Sequence, residues 1–507
     1  MSVRTMVRFR PVQDATAFIA LGVRKEPFAI MKRLGCLIVL LAMSAALTVR
    51  PVHAQSLGSL LSKTTRTLSN TLNGVTSTLT ESLAPPQAVI VRTNLGLAGL
   101  QNVCLLNGCT VTRNLDGTEG QLFLVQPQSG LIPDVLASVL RLVNGILDAE
   151  PDQLVIIPPN TSAGAIQTTI PTNFDDQSPV SYFGSTAWNG YVNQPASWII
   201  RAAWGQGSFH VTGNKIVADI DTGVDPNHPV LKPFLLAGYD FTRNQPGGSE
   251  MADLNGATGA ACNTCQPAFV DQHTAAMLDQ HTAAMLDQHT AAMLDGSQFA
   301  DFGHGTEVLG MVHLVAPTAR LLPLKAFSSD GSGDISNILA AIYYAVENHA
   351  NVINMSFELS SSSNELAAAI NYANAHSVVC VASAGNDGQN EVIYPAGLSN
   401  VIGVASTNDF DQRSSFSNYG NHVVWVAAPG ENIVSTYPFG TYSVTSGTSF
   451  TSPMVAGTAA LLLSLQPNLS PTAVANAIAK AQWIGPDMGN GELNVYRALQ
   501  SLQYGSF

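Results

Sequence analysis

Charge is scarce in this sequence: only 11% of its 507 residues are Asp, Glu, Lys or Arg, while 46% are hydrophobic. That balance excludes a disordered chain, which lacks the apolar surface needed to offset its conformational entropy. Basic residues are scarcer still, 22 against 35 acidic ones, for a net charge of −13. Eight of the basic and two of the acidic residues lie in 1–54, so the rest carries 14 basic against 33 acidic residues. Such an acidic body repels phosphate backbones and argues against nucleic acid as a partner. Cysteine is rare, six in all, so the fold must rest on an apolar core rather than on a disulfide framework. At roughly 150 residues per domain, the length suits two to four domains.

Long apolar runs are also missing, with one exception. Lys32 and Arg33 precede an apolar stretch from Leu34 to Val49, and Val52-His53-Ala54 follows. Charged start, short apolar middle and small-residue end describe a secretory signal cut near Ala54. As a bilayer anchor the run falls short of the ~20 residues that a spanning helix needs. Met31 stands where such a signal normally begins, so the start at Met1 or Met31 is left open. The chain is expected to be secreted, periplasmic or extracellular, with no stable membrane anchor. Export permits disulfides. Spacing suggests Cys104–Cys109 and Cys262–Cys265 as local pairs, and Cys380 in the run Val378–Val381 reads as a buried free thiol.

Beyond residues 1–54, the Ser/Thr/Leu-rich stretch 55–86 reads as a linker or weak amphipathic helix. Residues 87–160 suit a small α+β domain. Its pattern is a strand at Ala88–Arg92, a hairpin of Cys109–Arg113 and Gln121–Val125, helical spacing over Pro133–Leu147, and a closing strand at Gln153–Ile157. Residues 161–193 read as a linker containing the maturation site. From 194 to 503, strand runs at Lys215–Asp221, Arg320–Phe327, Val352–Phe357, Val378–Ala384, Val401–Ala405 and Val423–Ala428 alternate with helices. The helices are expected at Ser336–His349, Glu365–His376, Thr451–Leu465 and Pro471–Ala481. Apolar strands alternating with helices predict an α/β fold, a parallel sheet with helices on both faces. Reactive groups in such sheets collect at the carboxyl ends of strands.

Three motifs stand at such places. Asp221-Thr222-Gly223 ends the first strand. Aspartic peptidases carry the same tripeptide, but they need a second carboxylate of that kind, and no second Asp-Thr-Gly or Asp-Ser-Gly occurs. His304 lies in Gly303-His304-Gly305-Thr306-Glu307 at the head of a small-residue helix, and Ser449 lies in Gly447-Thr448-Ser449-Phe450-Thr451-Ser452-Pro453 before an apolar one. Pro453 suits a first helical turn.

Together these motifs resemble the signature sites of the subtilisin-like serine peptidases, over residues 194–503 and in the order Asp, His, Ser known for subtilisin. The resemblance implies an endopeptidase acting on polypeptides through Asp221, His304 and Ser449. Ser383-Ala384-Gly385-Asn386 looks like the family's oxyanion segment with Asn386 as donor, although by itself the stretch is also a good turn. Ser356, Phe357 and Glu358, with Ser383, Ala384 and Gly385, are the implied substrate-binding residues. Phe357 and Glu358 stand where many relatives have small residues, and an acidic rim there would favour basic substrate side chains. The domain at 87–160 resembles the family's propeptide, an intramolecular inhibitor; an adhesion module is the alternative. A monomer is expected. No definite cofactor is implied, and structural calcium stays open because the chain after the His304 helix is short.

Two other functions compete: a catalytically inert relative that binds, and a device that cuts only itself. Residues 271–294 are three copies of Asp-Gln-His-Thr-Ala-Ala-Met-Leu. On a helix, eight residues advance roughly 80° past two turns, so His273, His281 and His289 spiral rather than converge on zinc. Asp219 is out of place on a buried strand and needs a partner. Asp225, His228, His313, Ser446 and Ser452 read as structural.

Overall fold

The computed structural model describes residues 87–157, 176–256 and 299–504. The first stretch builds strand β1 (Val89–Thr93), helix α1 (Gly96–Asn107), strands β2 (Cys109–Asn114) and β3 (Leu122–Pro127), helix α2 (Pro133–Leu140) and strand β4 (Ile146–Pro151). The sheet order is β2-β3-β1-β4, antiparallel throughout. Because strand side chains alternate, β1 sends Val89 and Val91 to a core with Leu100, Leu136 and Leu140. Its Ile90 points the other way, into a cluster that belongs to the larger domain.

Three expectations for this region need correction. The helix ends at Leu140 rather than Leu147, since Gly145 takes a φ of 95° and starts the turn into β4. The strand closing the small sheet is therefore β4. The predicted closing strand exists as β5 (Leu154–Ile156), but it pairs with β12 (Ser332–Asp334) of the larger domain. Cys104 and Cys109, on either side of the left-handed turn at Gly108, are both buried free thiols rather than a disulfide. Helix α1, whose apolar residues follow no clear period, was not foreseen. Cys380 is the buried free thiol expected, while Cys262, Cys265 and the triple repeat lie outside the described residues.

The expected linker is also partly folded. Strands β6 (Pro179–Tyr182) and β7 (Ser185–Trp188) form a hairpin, followed by α3 (Asn189–Val192), α4 (Pro195–Ile199) and α5 (Ala202–Phe209). Two tyrosines pin this segment: Tyr182 Oη donates to the Leu314 carbonyl at 2.7 Å and Tyr191 Oη to that of Gly310 at 2.6 Å.

The larger sheet contains β8 (Ile216–Asp221), β9 (Tyr239–Asp240), β10 (Gln245–Pro246), β11 (Arg320–Lys325), β13 (Val352–Met355), β14 (Val379–Ser383), β15 (Val401–Thr407) and β16 (Val426–Pro429). Its order is β10-β9-β11-β8-β13-β14-β15-β16, parallel except for β10. The chain passes from β11 on one side of β8 to β13 on the other, a change of side that opens a crevice at the strands' carboxyl ends. Helices α6 (His304–Val315) and α9 (Ser452–Leu465) lie in the cluster on one face, α7 (Ile335–Glu347) and α8 (Asn364–Ala375) in that on the other. A hairpin of β17 (Ile433–Tyr437) and β18 (Thr441–Thr445) abuts α6, and α10 (Pro471–Ile478) and α11 (Val495–Tyr504) close the domain. Helix α9 is apolar on every side, as a central helix must be; the 18-residue stretch Thr448–Leu465 is 89% buried. The α/β expectation holds, with each predicted strand present within a few residues.

Candidate active site

Asp221 is the last residue of β8, and its Oδ1 accepts the Thr222 N–H and His304 Nδ1, each at 2.7 Å. A carboxylate only accepts, so the imidazole proton sits on Nδ1 and the lone pair on Nε2. His304 opens α6 directly after Gly303, whose φ of 95° suits glycine. At position 305 a Cβ would collide with the Gly223 carbonyl, so the flanking glycines let the helix start press against the Asp221 loop.

Ser449 lies in the 3₁₀ turn Thr448–Phe450 ahead of α9. Its hydroxyl donates to the Ser356 carbonyl at 3.4 Å, while His304 Nε2 is buried with no hydrogen-bond partner among the described residues. Asn386 is held by its oxygen: Oδ1 accepts the Thr448 N–H at 2.9 Å and the Thr448 hydroxyl at 2.8 Å. Its Nδ2 is buried without an acceptor among the described residues. A free amide donor held against Thr448, and a free imidazole acceptor whose ring lies 5.6 Å from that of Phe450, are what an acyl-transfer site needs before substrate arrives.

Three further carboxyls crowd the imidazole. Burial pushes Asp301 to about 6, and Glu250 and Glu307 to about 7. Burial on its own lowers the His304 pKa, but the charge and hydrogen bond of Asp221, then Asp301 and Glu307, reverse this and carry it to about 9. Glu250 also fastens the site: it accepts the Gly303 N–H at 2.8 Å and the hydroxyls of Thr222 and Thr306. Lys325, fully buried, binds Asp253 and the carbonyls of Thr222 and Phe327. Sequence reasoning missed Glu250, Asp301, Glu307 and Lys325, since single polar residues in a loop, a helix or a strand end carry no spacing signal. Glu307, inside the His304 motif, was the one most open to discovery.

The implied substrate-binding residues divide. Ser356 and Glu358 follow β13, Ser383 ends β14, and Ala384 and Gly385 follow it, with the Gly385 N–H donating to Thr448 Oγ1 at 3.2 Å. Phe357 is a correction: its side chain is wholly buried, with its ring 5.1 Å from that of Phe327, so it belongs to the core and not to a pocket rim. Chain from the small domain lies along these edges. The Ile157 N–H donates to the Gly331 carbonyl at 2.9 Å, the Ile335 N–H to that of Gln153 at 3.0 Å, and Ile156 bridges Glu358 antiparallel. A cleft lined by Gln153–Ile156, Glu358–Ser361, Asn386 and Asp387 results.

The decoys settle into structural places. His228 bonds to the Thr441 carbonyl, His313 packs between Tyr182 and Phe234, Asp225 accepts the Asn227 and Phe439 N–H groups, and Ser446 accepts that of Asn432. Among the described residues no three His, Cys, Asp or Glu side chains converge.

Asp221 and His304 are thus paired at the carboxyl end of β8, with Ser449 in the turn ahead of α9. The sequence pattern of the Subtilase family matches residues 213–498, and the chain belongs to that family. Thermitase of Thermoactinomyces vulgaris is 35% identical over 332 residues, 63% of this chain and 98% of its own. The thermophilic serine proteinase of Bacillus sp. (strain AK1) is 35% identical over 318 residues, 62% of this chain and 68% of its own. A solved lanthipeptide protease aligns over 61% of this chain and 95% of its own, at 25% identity and a TM-score of 0.47. The protein is a serine-type endopeptidase with a subtilisin-like fold, acting on polypeptides.

Proposed function

We propose that the chain is a secreted, self-processing precursor that cuts peptide bonds through Asp221, His304 and Ser449, with residues 87–160 as its inhibitor. The observation that carries the catalytic part is the His304–Asp221 bond of 2.7 Å, with Nε2 left free to act as base. In the reaction the Ser449 hydroxyl leaves the Ser356 carbonyl and gives its proton to Nε2 as oxygen attacks the scissile carbon. Asp221 holds the Nδ1 tautomer and stabilises the imidazolium, which then protonates the leaving amine. The Asn386 amide and the Ser449 N–H meet the negative oxygen. Water then releases the acyl group by the same route.

The inhibitory part is supported by β5, which joins two strand edges of the peptidase as an added strand, the mode by which peptides bind sheet edges. The precursor would leave the cell on the signal ending near Ala54. Glu358, at the cleft edge, would favour basic substrate side chains; equal turnover of basic and apolar peptides would remove that preference. The full proposal is tested by comparing wild type with Ser449→Ala for precursor cleavage and casein hydrolysis. An active, processed wild type beside an uncut, inactive variant supports it. Processing that survives the substitution, with no casein hydrolysis in either protein, favours a binding role. Precursor cleavage alone in wild type indicates a protein that cuts only itself.

A further inference from the structure

Asp219 and Asp221 project from the same face of β8, two residues apart, because side chains alternate along a strand. In register, Asp219 lies between Asn354 on β13 and Pro323 on β11. Asn354 Nδ2 spends one proton on Asp219 Oδ1 at 2.9 Å and the other on Ser356 Oγ at 3.0 Å. The Ser356 hydroxyl donates to the Ser449 carbonyl at 2.9 Å and lies 3.1 Å from Ser452 Oγ. Every member of this chain is at most 1% exposed. A continuous path of hydrogen bonds therefore runs from a carboxyl beneath the Asp–His pair to the backbone of Ser449.

Two facts bear on the state of that carboxyl. Among the described residues, no Lys or Arg forms an ion pair with it. The titratable groups on the elements packed around it are Asp221 on its own strand, His304, Glu307 and His313 on α6, Glu250, and Lys325 on β11, which is engaged by Asp253. Helix α9 brings no titratable side chain. Burial first, and then the charge of Asp221, push the Asp219 pKa well above the usual carboxylate range. Meanwhile Asn354 Oδ1 is buried and has no donor among the described residues, which is costly unless something supplies one.

We propose that Asp219 is a positioning residue held as an uncharged carboxylic acid, giving its proton to Asn354 Oδ1 and fixing the Ser449 carbonyl through Asn354 and Ser356. Fixing the Ser449–Phe450 peptide anchors the backbone on the carboxyl side of the residue that bears the hydroxyl. The inference rests on Ser449 being the nucleophile.

The test is steady-state hydrolysis of a chromogenic peptide across pH by the full-length precursor after processing. Asp219→Asn keeps one acceptor and one donor toward Asn354. It should stay within about threefold of wild-type kcat with an unmoved acid limb, since no charge is lost. Asp219→Val removes both partners and should lower kcat about tenfold, equivalent to roughly 1.4 kcal/mol of barrier, with KM within about twofold. If Asp219→Val does not fold, Ser356→Ala breaks the same path nearer Ser449 and should show the same split. Wild-type kcat in either of these two variants overturns the positioning role. A shift of the acid limb by about half a pH unit or more in Asp219→Asn shows a charged Asp219 and overturns the neutral acid. Activity retained in Ser449→Ala would instead remove the underlying catalytic reading.

Discussion

The small domain of residues 87–157 and the peptidase body of 176–504 bury their helices in different ways. Helices α6 and α9 disappear into the peptidase core, whereas the small domain leaves Leu105, Leu106 and Leu142 at 79%, 85% and 87% exposure. The joint between them is mixed. Ile90, Leu115 and Leu122 enter the apolar cluster beside α7 and α8, ringed by polar contacts. Asp152 accepts the N–H and hydroxyl of Ser336 in the first turn of α7, Glu150 accepts the Asn364 N–H at the start of α8, and Arg92 binds Glu365. These carboxylates cap helix N-termini, where unpaired N–H groups and the helix dipole welcome negative charge. The peptidase body thus packs its helices into two large apolar clusters, one on each face of the sheet, while the small domain is held by a patch and a set of caps.

The largest effect that sharpens this contrast belongs to the peptidase side. Asn386→Ala should lower kcat by about 10²–10³ with little change in KM, a magnitude established for subtilisin, and should leave the joint intact; steady-state kinetics on a peptide substrate checks it. On the other side, Asp152→Ala removes two bonds to a charged acceptor, roughly 1.5–3 kcal/mol each at most. It should shorten the lag before activity appears in purified precursor by about tenfold or more; an unchanged lag would break the comparison.

The same joint should respond to pH. Burial, and then Asp334, raise Asp152 to about 6 when docked. A group whose pKa is higher docked than free favours docking below its free value and loses that contribution as pH rises through about 6. The lag should therefore shorten between pH 5 and pH 7. In the proposed mechanism His304 must be neutral to accept a proton, so kcat/KM should rise as pH passes through about 9, above the ordinary histidine range. The smallest effect expected is from deleting two of the three copies in 271–294, which should leave peptide hydrolysis within about twofold.

Much of this was legible in the residues. The parallel strands are nearly unbroken apolar runs, so Ile216–Asp221 and Val379–Ser383 appeared almost to the residue, and the motifs sat where strands end. Harder to see was anything whose partner is remote in sequence. Asp219 looked misplaced until Asn354, 135 positions away, faced it across the sheet. The β5 segment read as a strand correctly, but a strand does not announce which sheet it will join. Helix α1 and the Tyr182–Tyr191 anchor escaped because one lacks periodicity and the other depends on two hydroxyls reaching α6 carbonyls. Phe357 looked like a pocket residue because it follows the Ser356 edge, yet alternation turns it inward.

The central claim is that Ser449 is a nucleophile activated by His304 and Asp221. Its most direct test is covalent labelling of the processed protein with a fluorophosphonate, followed by peptide mass spectrometry. The account predicts one label on Ser449, absent in Ser449→Ala and strongly slowed in His304→Ala. A label on another serine, or labelling of Ser449 at an undiminished rate without His304, would contradict it.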